Sequence, residues 1–175
     1  MTASTHLPHS ESTLTDNETS RDDRAGALVA EGCGHEGSQD WEAAVAAYQQ
    51  AVELQPQHPL VRYFAHNNLG YSLLQLGRFD LAATHCEAAI FVDPQRHNAH
   101  KNLGLAREGQ GRWLEAALSL IEAARRCPQD RRAWLHLQKL LTNHPELPGQ
   151  SGALLSALAE LQGRYAAAGA PPRLN

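Results

Sequence analysis

Apolar and small residues recur at helical spacing through the middle of the chain. Residues 66–96 carry two such patterns, one in each half of the stretch. The positions are Leu69, Gly70 and Leu73 in the first half and Phe79, Ala82, Cys86 and Ala89 in the second half. Their spacings place each set on one face of a helix. Gly77 lies between the halves, and Pro94 ends the second because proline cannot continue a helix. The pattern predicts a helical hairpin whose two helices bury these faces against each other.

The same pattern returns 34 residues further along the chain. The paired residues are Asn68 with Asn102, Leu69 with Leu103, Gly70 with Gly104, Gly77 with Gly111, Phe79 with Trp113, Ala82 with Ala116, Ala89 with Ala123 and Pro94 with Pro128. This period, with its Leu-Gly pair, aromatic residue, alanines and proline, is the tetratricopeptide pattern. The chain therefore resembles the tetratricopeptide repeat (TPR) family. The resemblance implies an all-α TPR α-solenoid, a right-handed superhelix of helical hairpins with about three repeats plus a C-terminal capping helix.

The predicted organisation follows from composition and from counting back and forward by the repeat. Residues 1–20 are polar and nearly free of large apolar side chains, so we expect a disordered N-terminal arm. We assign repeats to 21–58, 59–96 and 97–130, a half unit to 131–144, a linker to 145–150, a capping helix to 151–168 and a flexible tail to 169–175. The first repeat is degraded, with Glu31 in a leucine position and three glycines in its first helix. Because glycine disfavours helix, we expect that helix to be frayed or short.

Two local features leave alternatives open. Pro56 and Pro94 are 38 residues apart, four more than the period. The surplus extends the first helix of the second repeat by one turn, with Pro59 near its start, or forms a longer loop. The last helix carries a stripe of Leu154, Leu155, Leu158 and Leu161. That stripe covers the open end of the solenoid, as terminal elements of repeat proteins do, or it joins two chains into a homo-oligomer.

Charge and composition narrow the classes of function. A net charge of −4 and a pI near 6 argue against nucleic acid as a partner, since neutralising phosphates needs a basic surface. The sequence has no apolar run of about 18 residues, so we expect no membrane span. No basic segment followed by an apolar core opens the chain, and we expect a cytoplasmic protein. The three cysteines have no CxxC spacing, which favours reduced thiols.

Catalytic and metal-binding signatures are weak. His97 and His100, three residues apart on one helix, are the best candidate metal pair, but two imidazoles are too few for a closed zinc site. The sequence has no HExxH and no GxSxG motif. We therefore expect no enzyme activity, no cofactor and no metal.

The resemblance implies a binding surface on the first helix of each repeat, which in TPR proteins lines the concave side. The candidate residues are Phe64, Asn67, Asn68, Tyr71, Asn98, Lys101, Asn102, Leu105, Arg132, His136 and Lys139. Asn68 and Asn102 match the asparagine ladder with which some TPR proteins hold a peptide main chain, or they serve helix packing. Lys101, Arg132 and Lys139 make one end of this surface basic, whereas Glu31 and Glu36 make the other end slightly acidic.

The carboxylate clamp of chaperone-binding TPR domains is matched only in part. Asn102 and Arg132 occupy two of its positions, whereas Asn67, Tyr71 and His136 replace three other members. The prediction is a protein-interaction module, an adaptor or scaffold that binds an extended peptide or partner segment. In this hypothesis Phe64 and Tyr71 are apolar anchors, Asn68 and Asn102 hold a main chain, and Lys101 and Arg132 meet an acidic group. The alternatives are a small cytoplasmic chaperone for a secretion substrate and a self-assembling TPR scaffold.

Overall fold

Helical hairpins stacked side by side make up the chain. The computed structural model describes the backbone of residues 11–167, and this part contains nine helices and no strand. The helices are α1 (Glu11–Gly37), α2 (Trp41–Glu53), α3 (Pro59–Gln75), α4 (Phe79–Val92), α5 (His97–Gly109), α6 (Trp113–Arg126), α7 (Arg131–Asn143), α8 (Leu147–Gln150) and α9 (Gly152–Ala167). Helices α1–α2, α3–α4 and α5–α6 form hairpins, and α1, α3, α5 and α7 also contact one another in order. The predicted all-α solenoid is confirmed.

The spacing that recurs within each hairpin reflects a close approach of its two helices. At Gly104 in α5, an added Cβ would lie 2.7 Å from Leu120 Cγ and 3.2 Å from the carbonyl oxygen of Ala116. Only a residue without a side chain lets α5 and α6 meet at this distance. The turn between α3 and α4 contains Gly77 with φ of 69°, a left-handed conformation that glycine adopts without strain.

Helix α3 has the extra turn expected from the sequence. It is 17 residues long against 13 for α5, and Pro59 is its first residue. The Asp22 carboxylate of α1 accepts hydrogen bonds from the backbone N–H groups of Gln57 at 2.7 Å and His58 at 3.0 Å. Asp22 thus satisfies donors just before the start of α3, where no intrahelical partner exists. The contact joins the first helix of one repeat to that of the next.

The N-terminal end departs from the sequence prediction. Helix α1 begins at Glu11, so residues 11–20 are helical although they were assigned to a disordered arm, and the helix is 27 residues long rather than short. Residues 11–20 contain neither glycine nor proline, and extending an existing helix costs far less than starting one. The packed part that supports it includes Ala25, fully buried, and Gly32, where an added Cβ would lie 2.5 Å from the Tyr48 ring. The remainder of the predicted arm, residues 1–10, lies outside the described residues.

The C-terminal end also differs in two respects. Residues 147–150 of the predicted linker form the short helix α8, whose Leu147 is buried. In α9, Leu154, Leu158 and Leu161 are buried within the same chain, in one cluster with Trp134, and only Leu155 is exposed. The structure gives no support to a homo-oligomer through these four leucines, because three of them already cover the end of the solenoid. The predicted tail, 169–175, lies outside the described residues.

Candidate functional site

An open depression lies on the first helices of successive repeats. Its volume is about 270 Å³, and we call it the groove. The residues that line it are Asn67, Asn68 and Tyr71 of α3, Asn98, Lys101 and Asn102 of α5, and Arg132 of α7. All seven are among the predicted binding residues, so the structure brings them together. The other four do not line the depression: Phe64, Leu105, His136 and Lys139.

A chain of side-chain hydrogen bonds runs along the floor of the groove. Asn102 Nδ2 donates to Asn67 Oδ1 at 3.2 Å, and Asn67 Nδ2 donates to Asn68 Oδ1 at 2.9 Å. Asn68 Nδ2 then donates to the hydroxyl oxygen of Tyr48 in α2 at 3.4 Å and to Cys33 Sγ in α1 at 3.6 Å. Each carboxamide has two amide hydrogens, so Asn67 and Asn102 each keep one, whereas Asn68 uses both on Tyr48 and Cys33. Tyr48 and Cys33 were not among the predicted site residues.

The buried end of this chain is an acceptor without a partner. Asn102 is 2 % exposed, and its Oδ1 is buried without a hydrogen bond. Leaving such a group unpaired costs free energy.

Lys101 is the unusual charge of the groove. It is 7 % exposed, and its ammonium forms no hydrogen bond or ion pair with the described residues. Burial lowers the pKa of Lys101, the nearby positive charge of Arg132 lowers it further, and the charge of Asp130 opposes both. A lysine is seldom buried without a counter-charge. An anion placed at Lys101 would compensate this charge.

Arg132, by contrast, already has a carboxylate partner. Its Nε lies 2.9 Å from Asp130 Oδ1, and its Nη2 lies 2.6 Å from Asp130 Oδ2. Asp130 Oδ1 also accepts from the Arg132 backbone N–H at 3.0 Å, which caps α7. Hydrogen bonds from Arg132 hold the pKa of Asp130 well below its usual range. Sequence reasoning missed Asp130, although an aspartate two residues after Pro128 and just before a helix is a capping signal.

Further basic side chains surround this end of the groove. Burial lowers the pKa of His136, and the positive charges of Lys101, Lys139 and Arg132 lower it further. His136 is half-buried and Lys139 is exposed. In α1, burial raises the pKa of Glu36, whose Oε1 accepts a hydrogen bond from Ser72 Oγ at 3.0 Å. Neither Glu36 nor Glu31 lines the groove, so the acidic end predicted from the sequence stays a prediction.

The predicted aromatic anchors lie in different surroundings. Tyr71 lines the groove and packs edge-to-face against Trp41, with ring centroids 5.9 Å apart. Phe64 packs edge-to-face on Tyr63 at 5.5 Å, below the guanidinium of Arg96. Phe64 is therefore engaged by its own chain.

The candidate metal pair is engaged in separate contacts. His97 Nε2 lies 2.9 Å from Asp130 Oδ2, whereas His100 Nε2 lies 3.0 Å from the carbonyl oxygen of Pro94. Among the residues whose structure is described, no three His, Cys, Asp or Glu side chains form a group that could hold a metal ion. In the same part of the chain, no helix is long and apolar enough to cross a membrane.

Comparisons with known proteins agree with this architecture. The Tetratricopeptide repeat family profile matches residues 29–65 and 67–131. The small glutamine-rich tetratricopeptide repeat-containing protein 2 of Mycosarcoma maydis is 36 % identical over 93 residues, which are 53 % of this chain and 25 % of that protein. The chain thus spans about a quarter of the length of that relative.

Solved structures show the same fold. The Arabidopsis OM64 TPR domain superposes with a TM-score of 0.65 at 24 % identity, covering 70 % of this chain and 98 % of that domain. The first TPR of Spaghetti (RPAP3), bound to the HSP90 peptide SRMEEVD, superposes with a TM-score of 0.63 at 18 % identity. The match covers 71 % of this chain and 95 % of that domain. With the profile match covering more than half of its residues, the chain belongs to the tetratricopeptide repeat family.

Proposed function

We propose that the groove binds an extended segment of a partner protein and that an acidic group of this segment is placed at Lys101. The observation that carries the proposal is Lys101, a residue 7 % exposed whose ammonium forms no ion pair with the described residues. An anion bound at this position would neutralise the positive charge of Lys101 in a site that is partly shielded from water. Hydrogen bonds to charged groups are stronger than those between neutral groups. We therefore expect Lys101 to contribute more to the binding free energy than the other groove residues.

The amides beside Lys101 suit a polypeptide main chain. The amide hydrogens that Asn67 and Asn102 keep can bind carbonyl oxygens. Because carboxamides contact the backbone, they hold a segment without reading its side chains. The lining is mainly polar, which favours an acidic segment over the apolar substrate that a secretion chaperone would hold.

A solved neighbour supports the choice of probe. The structure of the first TPR of Spaghetti (RPAP3) contains the peptide SRMEEVD, which carries three acidic side chains. We therefore choose this peptide in two forms, as the free acid and acetylated and amidated at its ends. A third peptide, acetyl-SRMQQVN-amide, has no acidic group and serves as the uncharged control. Comparison of the three separates acidic side chains from a terminal carboxylate.

The test is binding of these peptides to the full chain by isothermal titration calorimetry. Lys101→Met keeps the length of the side chain and removes its charge. Lys139→Met is the matched control, because it removes the charge of an exposed lysine in α7 that does not line the groove. We expect Lys101→Met to weaken the acidic peptides by about 10- to 100-fold, the range for a hydrogen bond to a charged group. Equal affinities of Lys101→Met and the wild-type protein would refute the proposal.

A second experiment addresses the asparagines alone. In a pull-down from the native cell, the double variant Asn68→Ala with Asn102→Ala is expected to lose partners that the wild-type protein retains. If the variant keeps every partner, the asparagines serve helix packing and the main chain is held elsewhere.

A further inference from the structure

We infer that Asp130 determines the specificity of the groove: by occupying Arg132, it limits the groove to segments that present one acidic group. This inference rests on the proposed function, since it concerns which acidic segments bind. The fold holds two cations at the groove, Lys101 and Arg132, but supplies a carboxylate to only one of them.

The contacts of Asp130 fix its carboxylate in place. Oδ1 accepts from the backbone N–H of Arg132 at 3.0 Å, and Oδ2 lies 2.9 Å from His97 Nε2. The side chain of Asp130 is 15 % exposed, whereas that of Arg132 is 61 % exposed. The α7 backbone and His97 of α5 therefore anchor the carboxylate in addition to the guanidinium, and only the Arg132 side chain is free to turn towards solvent.

Arg132 cannot form the same paired contacts with a ligand carboxylate unless it releases Asp130. Its guanidinium makes paired contacts with Asp130 through Nε and Nη2, and Nη2 also lies 3.3 Å from Asn98 Oδ1. A ligand carboxylate that takes Arg132 exchanges one ion pair for an equivalent one, so the gain is small. A ligand carboxylate that approaches without displacing Asp130 meets its negative charge. Either way, a second acidic group near Arg132 adds little to binding.

Lys101 does not have this restriction. Its ammonium is unpaired in the described part of the chain, so the first acidic group of a segment forms a new ion pair without breaking an old one. The groove therefore favours one carboxylate strongly and is nearly indifferent to a second. The pairing of Asp130 with Arg132 is what separates the two cations.

The test compares two peptides that differ by one acidic group, acetyl-SRMEQVN-amide and acetyl-SRMEEVN-amide. The measured quantity is the ratio of their affinities for the full chain, determined by isothermal titration calorimetry at low salt. For the wild-type protein we expect a ratio within about threefold of one. In Asp130→Asn, the amide oxygen keeps the helix cap while the charge is lost. We expect the ratio to rise by about two- to fivefold in favour of the doubly acidic peptide, as for a newly available surface ion pair.

A double variant shows whether the gain comes from Arg132. In Asp130→Asn with Arg132→Gln, the affinity ratio should return to the wild-type value, because the released cation is gone. This variant also guards against a general effect of the substitution on folding, since both variants lack the Asp130 carboxylate. The gain should decrease with added salt, which screens exposed charges.

The outcomes distinguish a failure of the inference about Asp130 from a failure of the proposed function. If the wild-type protein binds the singly acidic peptide and Asp130→Asn leaves the ratio at its wild-type value, the inference is wrong and the proposed function stands. If Asp130→Asn weakens both peptides in parallel, Asp130 positions Arg132 for the ligand and does not compete with it, which also overturns the inference. If the wild-type protein binds neither peptide, the proposed function fails and the inference with it.

Discussion

Acidification should destabilise the fold through a histidine pair between α3 and α4. His66 Nδ1 and His85 Nδ1 are 3.1 Å apart, and the rings are within 27° of parallel. Both side chains are half-buried. Burial lowers the pKa of His66 to about 4, with further contributions from His85 and Arg62, and burial lowers the pKa of His85 as well. Of two facing nitrogens, one must donate and the other accept, so adding protons to both rings breaks the contact.

The size and sign of the effect follow from proton linkage. The usual pKa of His66 is 6.5, against about 4 in the folded chain. Between these pH values the unfolded chain binds more protons than the folded chain, so the free energy of unfolding falls as the pH falls. For His66 alone, the loss between about pH 7.5 and about pH 5 is about 2 kcal/mol. The contribution is fully present above the usual pKa and is lost progressively below it.

Urea unfolding followed by helical circular dichroism at these two pH values measures the loss. The double variant His66→Gln with His85→Gln removes the titrating pair, and His35→Gln, at a partly exposed position of α1, is the control. We expect the wild-type protein and the control to lose at least about 2 kcal/mol more than the double variant on acidification. Equal losses in all three proteins would show that the pair does not account for acid sensitivity.

Three further predictions concern packing and capping, and urea unfolding at neutral pH measures each of them. Gly104→Ala should lower the free energy of unfolding by about 1–3 kcal/mol because its Cβ would lie 2.7 Å from Leu120 Cγ. Gly34→Ala, whose Cβ would have nothing within 4 Å, should raise it by about 0.5–1 kcal/mol. The same sign for both variants would contradict the close approach of α5 and α6. Leu158→Ala should cost about 2–5 kcal/mol and speed amide exchange in α9, and an unaltered exchange rate would argue against its capping role. Asp22→Ala should cost about 0.5–2 kcal/mol through loss of its two backbone hydrogen bonds, and a neutral result would make that contact incidental.

The hairpins could be predicted because the repeat encodes contacts that recur at every period. A glycine such as Gly104 is required wherever two helices meet closely, and Pro59 reveals the longer α3 because proline suits a helix start. The ends of the solenoid have no such repetition. The polar composition of 11–20 suggests disorder, yet these residues continue a helix whose stability comes from packing further along. Helix α8 is too short to show a period.

The positions of the groove residues could be predicted, but their electrostatic states could not. From sequence, Lys101 and Arg132 are two equivalent cations at one end of a surface. In the fold, Lys101 is 7 % exposed and unpaired in the described part of the chain, whereas the side chain of Arg132 is 61 % exposed and paired with Asp130. That difference depends on burial and on His97, which approaches Asp130 from 33 residues earlier in the chain. A pattern of residue types along a helix contains neither fact.

The carboxamides of the groove share one hydrogen-bond direction. Asn102 donates a hydrogen bond to Asn67, Asn67 donates one to Asn68, and Asn68 donates one to Tyr48. If a bound peptide rotates the Asn102 amide by half a turn, its oxygen faces the oxygen of Asn67, and the pairing is restored only if the neighbouring amides rotate as well. Side chains from three helices would therefore change orientation together. Peptide binding at α5 would then reorient the Tyr48 hydroxyl in α2 without any movement of the backbone.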